Sequence, residues 1–203
     1  MKQLHRSDLF MWSEFNTDKN IDFNGICWIH PEGNVLIDPV PMSQHDQAHL
    51  KEIGGAKWII ITNSDHIRES QAIQRMTGAQ LMAPVCEQET FRAALPELSN
   101  NIIWLSTGDE PIEGLQILEI QGSKTSGELG LILNKDTVYL SDLIRAHQAG
   151  ELMWLPSGKL KNPTLAKQSA RQLLTFPEIN HVLVGDGWPL FHRAQEALAR
   201  LWD

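Results

Sequence analysis

The sequence predicts a mixed α/β fold, in which β-sheets are covered by helices on their outer faces. Short apolar runs alternate with amphipathic stretches of helical period, and hairpin-like strand pairs occur beside strand-to-helix transitions. Three of the strand-like runs, residues 58–62, 137–140 and 181–184, stop abruptly at polar residues. Because ligands often bind at the carboxyl ends of buried strands, these three junctions are the first place to look for a functional site.

In the first half of the chain, strands and helices are predicted to alternate. Pro31 to Gly33 form a turn between two strands, Ser43 is suited to cap a helix, and Gly78 is suited to end one. The predicted strands are 26–29, 34–38, 57–62 and 80–83, and the predicted helices are 44–53, 65–77 and 87–95.

The second half is predicted to be richer in strands. Gly, Asn and Asp mark the turns between them, and the chain closes with an amphipathic helix. The predicted strands are 102–105, 115–120, 130–133, 137–140 and 181–184, and the predicted helices are 165–174 and 191–202. Neither half contains a linker or an internal repeat, so we expect one domain over residues 1–203.

Composition excludes several classes of function. The 203 residues carry a formal net charge of −8 without a basic cluster, which argues against a nucleic-acid surface. Residues 1–6 do not resemble the start of a signal peptide, and no apolar stretch approaches the roughly 20 residues of a membrane span. We therefore expect a soluble, cytoplasmic protein without a membrane partner. Cys27 and Cys86 lack metal-site spacing and are expected to be reduced thiols, although a disulfide stays open. The apolar segment 9–12 could support a homodimer.

The order of these elements resembles the metallo-β-lactamase superfamily over residues 23–201. Leu36-Ile37-Asp38 is similar to an early strand end of that family, and Thr62 precedes the place of its T-H-x-H-x-D-H motif. The loop 122–127 resembles its G-H-T-x-G loop. Asp142 resembles an Asp that bridges two metals, and Asp186 lies between glycines as in its last G-H-G. The resemblance implies a four-layer αββα sandwich, made of two mixed β-sheets flanked by helices.

Most histidines of the family motifs are replaced in this chain. After Thr62 only Asn63, Ser64, Asp65 and His66 remain, and either Ile61 and Asn63 replace the two missing histidines or two residues are deleted. The third family histidine corresponds to Lys124, or to Ser123 if the register slips by one. The last one corresponds to Asp186. The resemblance therefore implies that the metal ligands are Asp65, His66, Asp142 and Asp186.

Three neighbouring carboxylates need a compensating positive charge, which a divalent metal, the Lys124 ammonium or a bound proton could supply. One imidazole and three carboxylates form a hard ligand set that favours iron, manganese or magnesium, and zinc also accepts it. Lys124 could stabilise a developing oxyanion, so Lys124 and Asp65 are the predicted catalytic residues. The predicted contacts to a bound small molecule are Asn63, Ser123 and Trp188.

Each of these residues also has an ordinary structural interpretation. Asp65 could cap a helix, Lys124 could be a solvated surface lysine, and Asp186 could be a turn residue. Asp142 could cap a helical stretch over residues 143–146.

Two hypotheses follow. The first is a divergent hydrolase that uses one divalent metal (Fe, Mn or Zn) to cleave an ester, thioester or phosphoester. The alternative is a non-catalytic, metal-free scaffold for ligand binding or regulation, in which Lys124 fills the metal site.

Overall fold

The computed structural model describes all residues from 1 to 203. The chain forms thirteen strands and five α-helices, with short 3-10 turns between them. The strands are β1 (Lys2–Gln3), β2 (Leu9–Asn16), β3 (Ile21–Trp28), β4 (Val35–Ile37), β5 (Trp58–Ile60), β6 (Gln80–Pro84), β7 (Ile103–Leu105), β8 (Leu115–Ile120), β9 (Glu128–Leu133), β10 (Thr137–Leu140), β11 (Ile144–Gln148), β12 (Glu151–Trp154) and β13 (His181–Val184). The helices are α1 (Gln44–Glu52), α2 (Ser70–Thr77), α3 (Gln88–Ala94), α4 (Pro163–Ala170) and α5 (Ala194–Ala199). Contacts divide the chain into two compact units, residues 1–83 with 87–104, and residues 84–86 with 105–203.

The first unit is built around a seven-stranded sheet in which the strands follow chain order from β1 to β7. Strands β4, β5 and β6 are parallel, and Ile37 pairs in register with Ile60. Because parallel strands in register end at the same edge, Asp38 and the residues that follow β5 emerge side by side. Apolar residues from the sheet and its helices form one core, which includes Leu36, Ile59 and Phe91.

The second unit is built around a four-stranded sheet in the order β13-β10-β9-β8. Strands β10 and β13 are parallel, with Leu140 opposite Val184, so Asp142 and Asp186 follow neighbouring strand ends. Strand β9 is antiparallel to β10, which brings the loop 121–127 before β9 to the same edge. A separate hairpin, β11–β12, begins just after Asp142.

Most predicted strands are confirmed, but several predicted helices are shorter than expected. The predicted helix 65–77 is a 3-10 turn (Ser64–His66) followed by α2. Arg68 separates the two because its φ of +39° lies outside the right-handed helical region. The predicted helix 165–174 is α4 followed by a 3-10 turn, and the predicted helix 191–202 contains α5 and a further 3-10 turn. Residues 143–146, considered as a helical stretch, instead enter β11.

The apolar segment 9–12 belongs to β2, which pairs along its whole length with β3. Leu9 and Trp12 are buried in the sheet, and the Trp12 indole N–H donates to the carbonyl of Val40 at 3.0 Å. Packing within the first unit therefore accounts for much of the apolar character of this segment, and the homodimer stays a prediction. Both cysteines are free thiols. None of the helices combines the length and the apolar character that a bilayer crossing requires.

Candidate ligand site

In the first unit, Asp38 is the centre of a buried network at the carboxyl edge of β4. Its carboxylate accepts the backbone N–H of Thr62 at 2.7 Å and the hydroxyl of the same residue. It also lies 2.7 Å from Nδ1 of His66. Burial acts to raise the pKa of Asp38, but the hydrogen bond from His66, the positive charge of Arg68 and the hydrogen bond from Thr62 together hold that pKa below its ordinary value.

Arg68 closes this network from the other side of the imidazole. Its Nη2 lies 3.0 Å from Nε2 of His66, and its Nη1 donates to the carbonyl of Asp38 at 3.3 Å. A guanidinium has donors but no acceptor, so Nε2 must accept and Nδ1 must carry the proton that His66 donates to Asp38. The Nε2 lone pair, which a metal ion would need, is therefore already used.

Asp65 and Asn63 have local roles in the turn that follows β5. Asn63 is buried, and its side-chain oxygen accepts the backbone N–H of Asp65 at 2.9 Å. The backbone N–H of Ser64 donates to the buried Glu87 at 3.0 Å. Thus Asn63, and not Asp65, caps this turn, while the Asp65 residue is exposed. Catalysis by Asp65 and a ligand contact through Asn63 stay predictions.

In the second unit, Lys124 lies beside Asp142, with 3.8 Å between Nζ and Oδ2. The Lys124 side chain is 35% exposed, so this ion pair is partly solvated. Ser123, which was predicted to contact a ligand, is buried, and its hydroxyl donates to the carboxylate of Glu128. Sequence reasoning missed Glu128.

Asp186 lies beside two basic side chains of β11. Its Oδ2 accepts from Nη2 of Arg145 at 2.7 Å and lies 3.1 Å from Nε2 of His147. Its Oδ1 is buried and has no hydrogen-bond partner. The simple interpretation of Asp186 as a turn residue is therefore incomplete, because its side chain anchors Arg145.

The register between β11 and the turn after β13 brings the side chains of Arg145, His147 and Asp186 together. Ala146 forms a parallel bridge with Gly187, and the backbone N–H of Trp188 donates to the Ala146 carbonyl at 2.8 Å. The contacts of Arg145 and His147 with Asp186 bring these three side chains together, and we call this cluster the Arg145 face. Trp188 follows two residues after Asp186 and is 64% exposed, so an accessible flat ring lies close to the cluster along the chain.

The predicted metal ligands do not assemble a donor set in either unit. No group of three or more His, Cys, Asp and Glu side chains has an arrangement that could hold a metal ion. The lone pair of His66 faces Arg68, Asp186 is bonded to Arg145, and Asp142 pairs with Lys124. Within each unit, these side chains as arranged therefore do not offer a metal ion a free set of ligands, and the four-ligand site stays a prediction.

Comparison with known proteins gives one family and several solved structures. A sequence model described as the metallo-beta-lactamase superfamily matches residues 1–203. No curated protein sequence matches the chain significantly.

Three solved structures show the extent of the structural similarity. The DIM-1 metallo-beta-lactamase is 13% identical, with a TM-score of 0.74 over 98% of this chain and 94% of that one. A metallo-beta-lactamase from Pontibacter korlensis is 18% identical, with a TM-score of 0.74 over 97% and 94% of the two chains. TTHA1623, solved in a di-iron-bound form, is 19% identical, with a TM-score of 0.67 over 89% and 93%. These similarities confirm the predicted αββα fold class.

Proposed function

Since this chain belongs to the metallo-beta-lactamase superfamily, we propose that its altered site binds a small anionic molecule instead of hydrolysing one. Members of this superfamily are typically metal-dependent hydrolases. In this chain, the predicted ligands His66, Asp142 and Asp186 are each close to a basic side chain of the protein itself. A binding function needs no metal and is compatible with these pairs.

The Arg145 face is the observation that carries the proposal. Arg145 directs Nε and Nη2 toward His147, and Nη2 also toward Asp186. A guanidinium only donates, so the contact with Arg145 requires Nε2 of His147 to accept. In that tautomer Nδ1 carries the proton, which can donate to an anionic oxygen. Together with the guanidinium, this N–H favours a carboxylate or phosphate group.

Trp188 adds a second element of recognition. Its ring is largely exposed and lies two residues along the chain from Asp186, and such a ring stacks on flat or apolar groups. Lys124, at the same edge of the four-stranded sheet, adds a partly exposed positive charge. We therefore propose that the ligand is a small molecule with a planar ring and a carboxylate or phosphate.

Calorimetric titration of the EDTA-treated protein tests this proposal. Phenyl phosphate and benzoate are the probes. Benzyl alcohol, which has the ring but no charge, and inorganic phosphate, which has the charge but no ring, are the controls. We expect Trp188→Ala and His147→Ala each to weaken binding of the better probe about tenfold, which is the size of one stacking or charged hydrogen-bond contact. Phe15→Ala, which removes another ring that is 55% exposed, is the matched control and should bind normally.

Two outcomes would reject the binding function. In the first, neither probe produces a saturable heat. In the second, Trp188→Ala and His147→Ala bind as tightly as the wild type. If phenyl phosphate binds more tightly than benzoate, the anionic group of the ligand is a phosphate, and the reverse order of affinities identifies a carboxylate.

Metal-dependent hydrolysis is the second candidate, and the unpartnered Oδ1 of Asp186 is the observation that favours it. In that case Asp65, His66, Asp142 and Asp186 would hold one Fe, Mn or Zn ion, which would supply a Lewis acid. Turnover of p-nitrophenyl acetate or p-nitrophenyl phosphate that requires added metal, and that Asp142→Asn abolishes, would establish hydrolysis in place of simple binding.

A further inference from the structure

We infer that Arg68 is an internal cation that takes the place of a metal at His66, so that the carboxyl edge of the first unit is complete without any bound ion. This inference goes beyond the proposed function, which rests on the Arg145 face of the second unit. The two can be tested separately.

The buried carboxylate of Asp38 requires a positive charge nearby. It is fully buried, and an uncompensated buried carboxylate is strongly disfavoured. The hydrogen bonds deduced above leave His66 neutral, because its Nε2 accepts from Arg68. The guanidinium of Arg68 is always protonated, so it supplies the charge permanently.

Several contacts hold Arg68 in this position. Its guanidinium donates to the carbonyl of Asp38 and lies 4.9 Å from the centre of the Phe23 ring, in cation–π geometry. Its backbone has a φ of +39°, which is unfavourable for a residue with a side chain. A strained backbone persists where its surroundings stabilise it, and here it directs the guanidinium at His66. These contacts describe a fixed structural cation and not a solvated surface arginine.

Arg68 also prevents metal binding at His66, because it fixes the imidazole in the tautomer with the proton on Nδ1. Metal ligation requires a nitrogen lone pair, and the only lone pair of the Nδ1–H tautomer is on Nε2. That lone pair points at Nη2 of Arg68, 3.0 Å away. A metal could reach Nε2 only if the guanidinium left, which would leave the charge of Asp38 without this partner.

The test combines elemental analysis with nitrogen NMR of His66. We expect substoichiometric metal in the wild type, a melting temperature unchanged by EDTA or excess zinc, and a 15N spectrum of the Nδ1–H tautomer that zinc does not shift. In Arg68→Ala, Nε2 is released, so we expect zinc to shift the His66 resonances. Arg75→Ala is the control, because Arg75 pairs with Glu97 on an exposed surface, and this variant should behave as the wild type.

One equivalent of metal in the wild type that is lost in His66→Ala would overturn the inference. An Nε2–H tautomer of His66 would overturn it as well. If Arg68→Ala does not fold, the wild-type metal content and tautomer still decide. Failure of the phenyl phosphate and benzoate titrations would reject the binding function but leave these two wild-type results unaffected, so the two failures are distinguishable.

Discussion

The hydroxyl of Ser123 donates a hydrogen bond to the carboxylate of Glu128, which is completely buried. The other oxygen of this carboxylate accepts the backbone N–H groups of Asp142 at 3.2 Å and Leu143 at 3.0 Å. One side chain therefore joins the loop that carries Lys124 to the segment that carries Asp142, and it fixes the spacing of this ion pair.

Removal of the Glu128 carboxylate should destabilise the second unit. Glu128→Ala leaves buried donors without an acceptor, and we expect the free energy of unfolding to fall by about 2–4 kcal/mol in urea titrations. Glu128→Gln retains one acceptor and should cost less. The exposed Glu151 on β12 is the control position, where Ala should change the unfolding free energy by less than about 0.5 kcal/mol. Equal effects at the two positions would contradict the assigned role of Glu128.

The stability of the first unit should depend on pH through Asp38. The pKa of Asp38 is lower in the folded protein than its ordinary value of 3.8. Its contribution is therefore present above pH 3.8 and is lost as the pH falls from there through the folded pKa. We expect Asp38→Asn to lower the free energy of unfolding by about 3 kcal/mol at neutral pH. Because Asn does not titrate, the difference between the two proteins should shrink in acid, and a constant difference would contradict this linkage.

The two cysteines should differ sharply in reactivity. Burial raises the pKa of Cys27 to about 12, whereas Cys86 is exposed. Only the thiolate reacts with a disulfide reagent, so at about pH 8 we expect one thiol to be labelled in the folded protein and both in guanidinium. Cys86→Ser should abolish the labelling of the folded protein. Rapid labelling of Cys27 in that variant would show that its site opens readily.

Gly187 should tolerate no side chain. A Cβ at this position would lie 2.2 Å from the carbonyl oxygen of Ala146, and its φ is +94°. Gly150 has a similar φ of +82° but open space around it, so Gly150→Ala isolates the backbone cost of about 1–2 kcal/mol. Gly187→Ala should be more destabilising by urea titration, and it should also weaken ligand binding because the Arg145 face depends on this close approach. If both variants lose the same unfolding free energy, a small backbone shift relieves the clash at position 187.

The local pattern of apolar runs followed by polar residues was sufficient to predict the sheet edges at which the candidate residues lie. Polar residues follow the apolar strands β5, β10 and β13, and the structure places Asp142 and Asp186 at neighbouring strand ends. The strand β2 was missed because its stability comes from pairing with β3, and its sequence lacks a clear alternation of apolar and polar residues.

The position of Lys124 beside Asp142 agrees with the alternative hypothesis, but the cationic partners of His66 and Asp186 could not be predicted from the sequence. Arg68 contacts His66 because a non-glycine backbone adopts a positive φ, which no short motif indicates. Arg145 contacts Asp186 because residues far apart in sequence form a parallel bridge. In both cases the partner of the predicted ligand depends on tertiary structure.

The strand order of the second unit also has a consequence for how the protein folds. Strands β8, β9 and β10 form an antiparallel meander with short connections, whereas β13 must return across the long segment that contains β11, β12 and α4. Contacts between nearby residues form at a lower entropy cost than distant ones. The meander can therefore form early, but the Arg145 face does not exist until β13 docks, so a folding intermediate that lacks this last strand would be unable to bind the ligand.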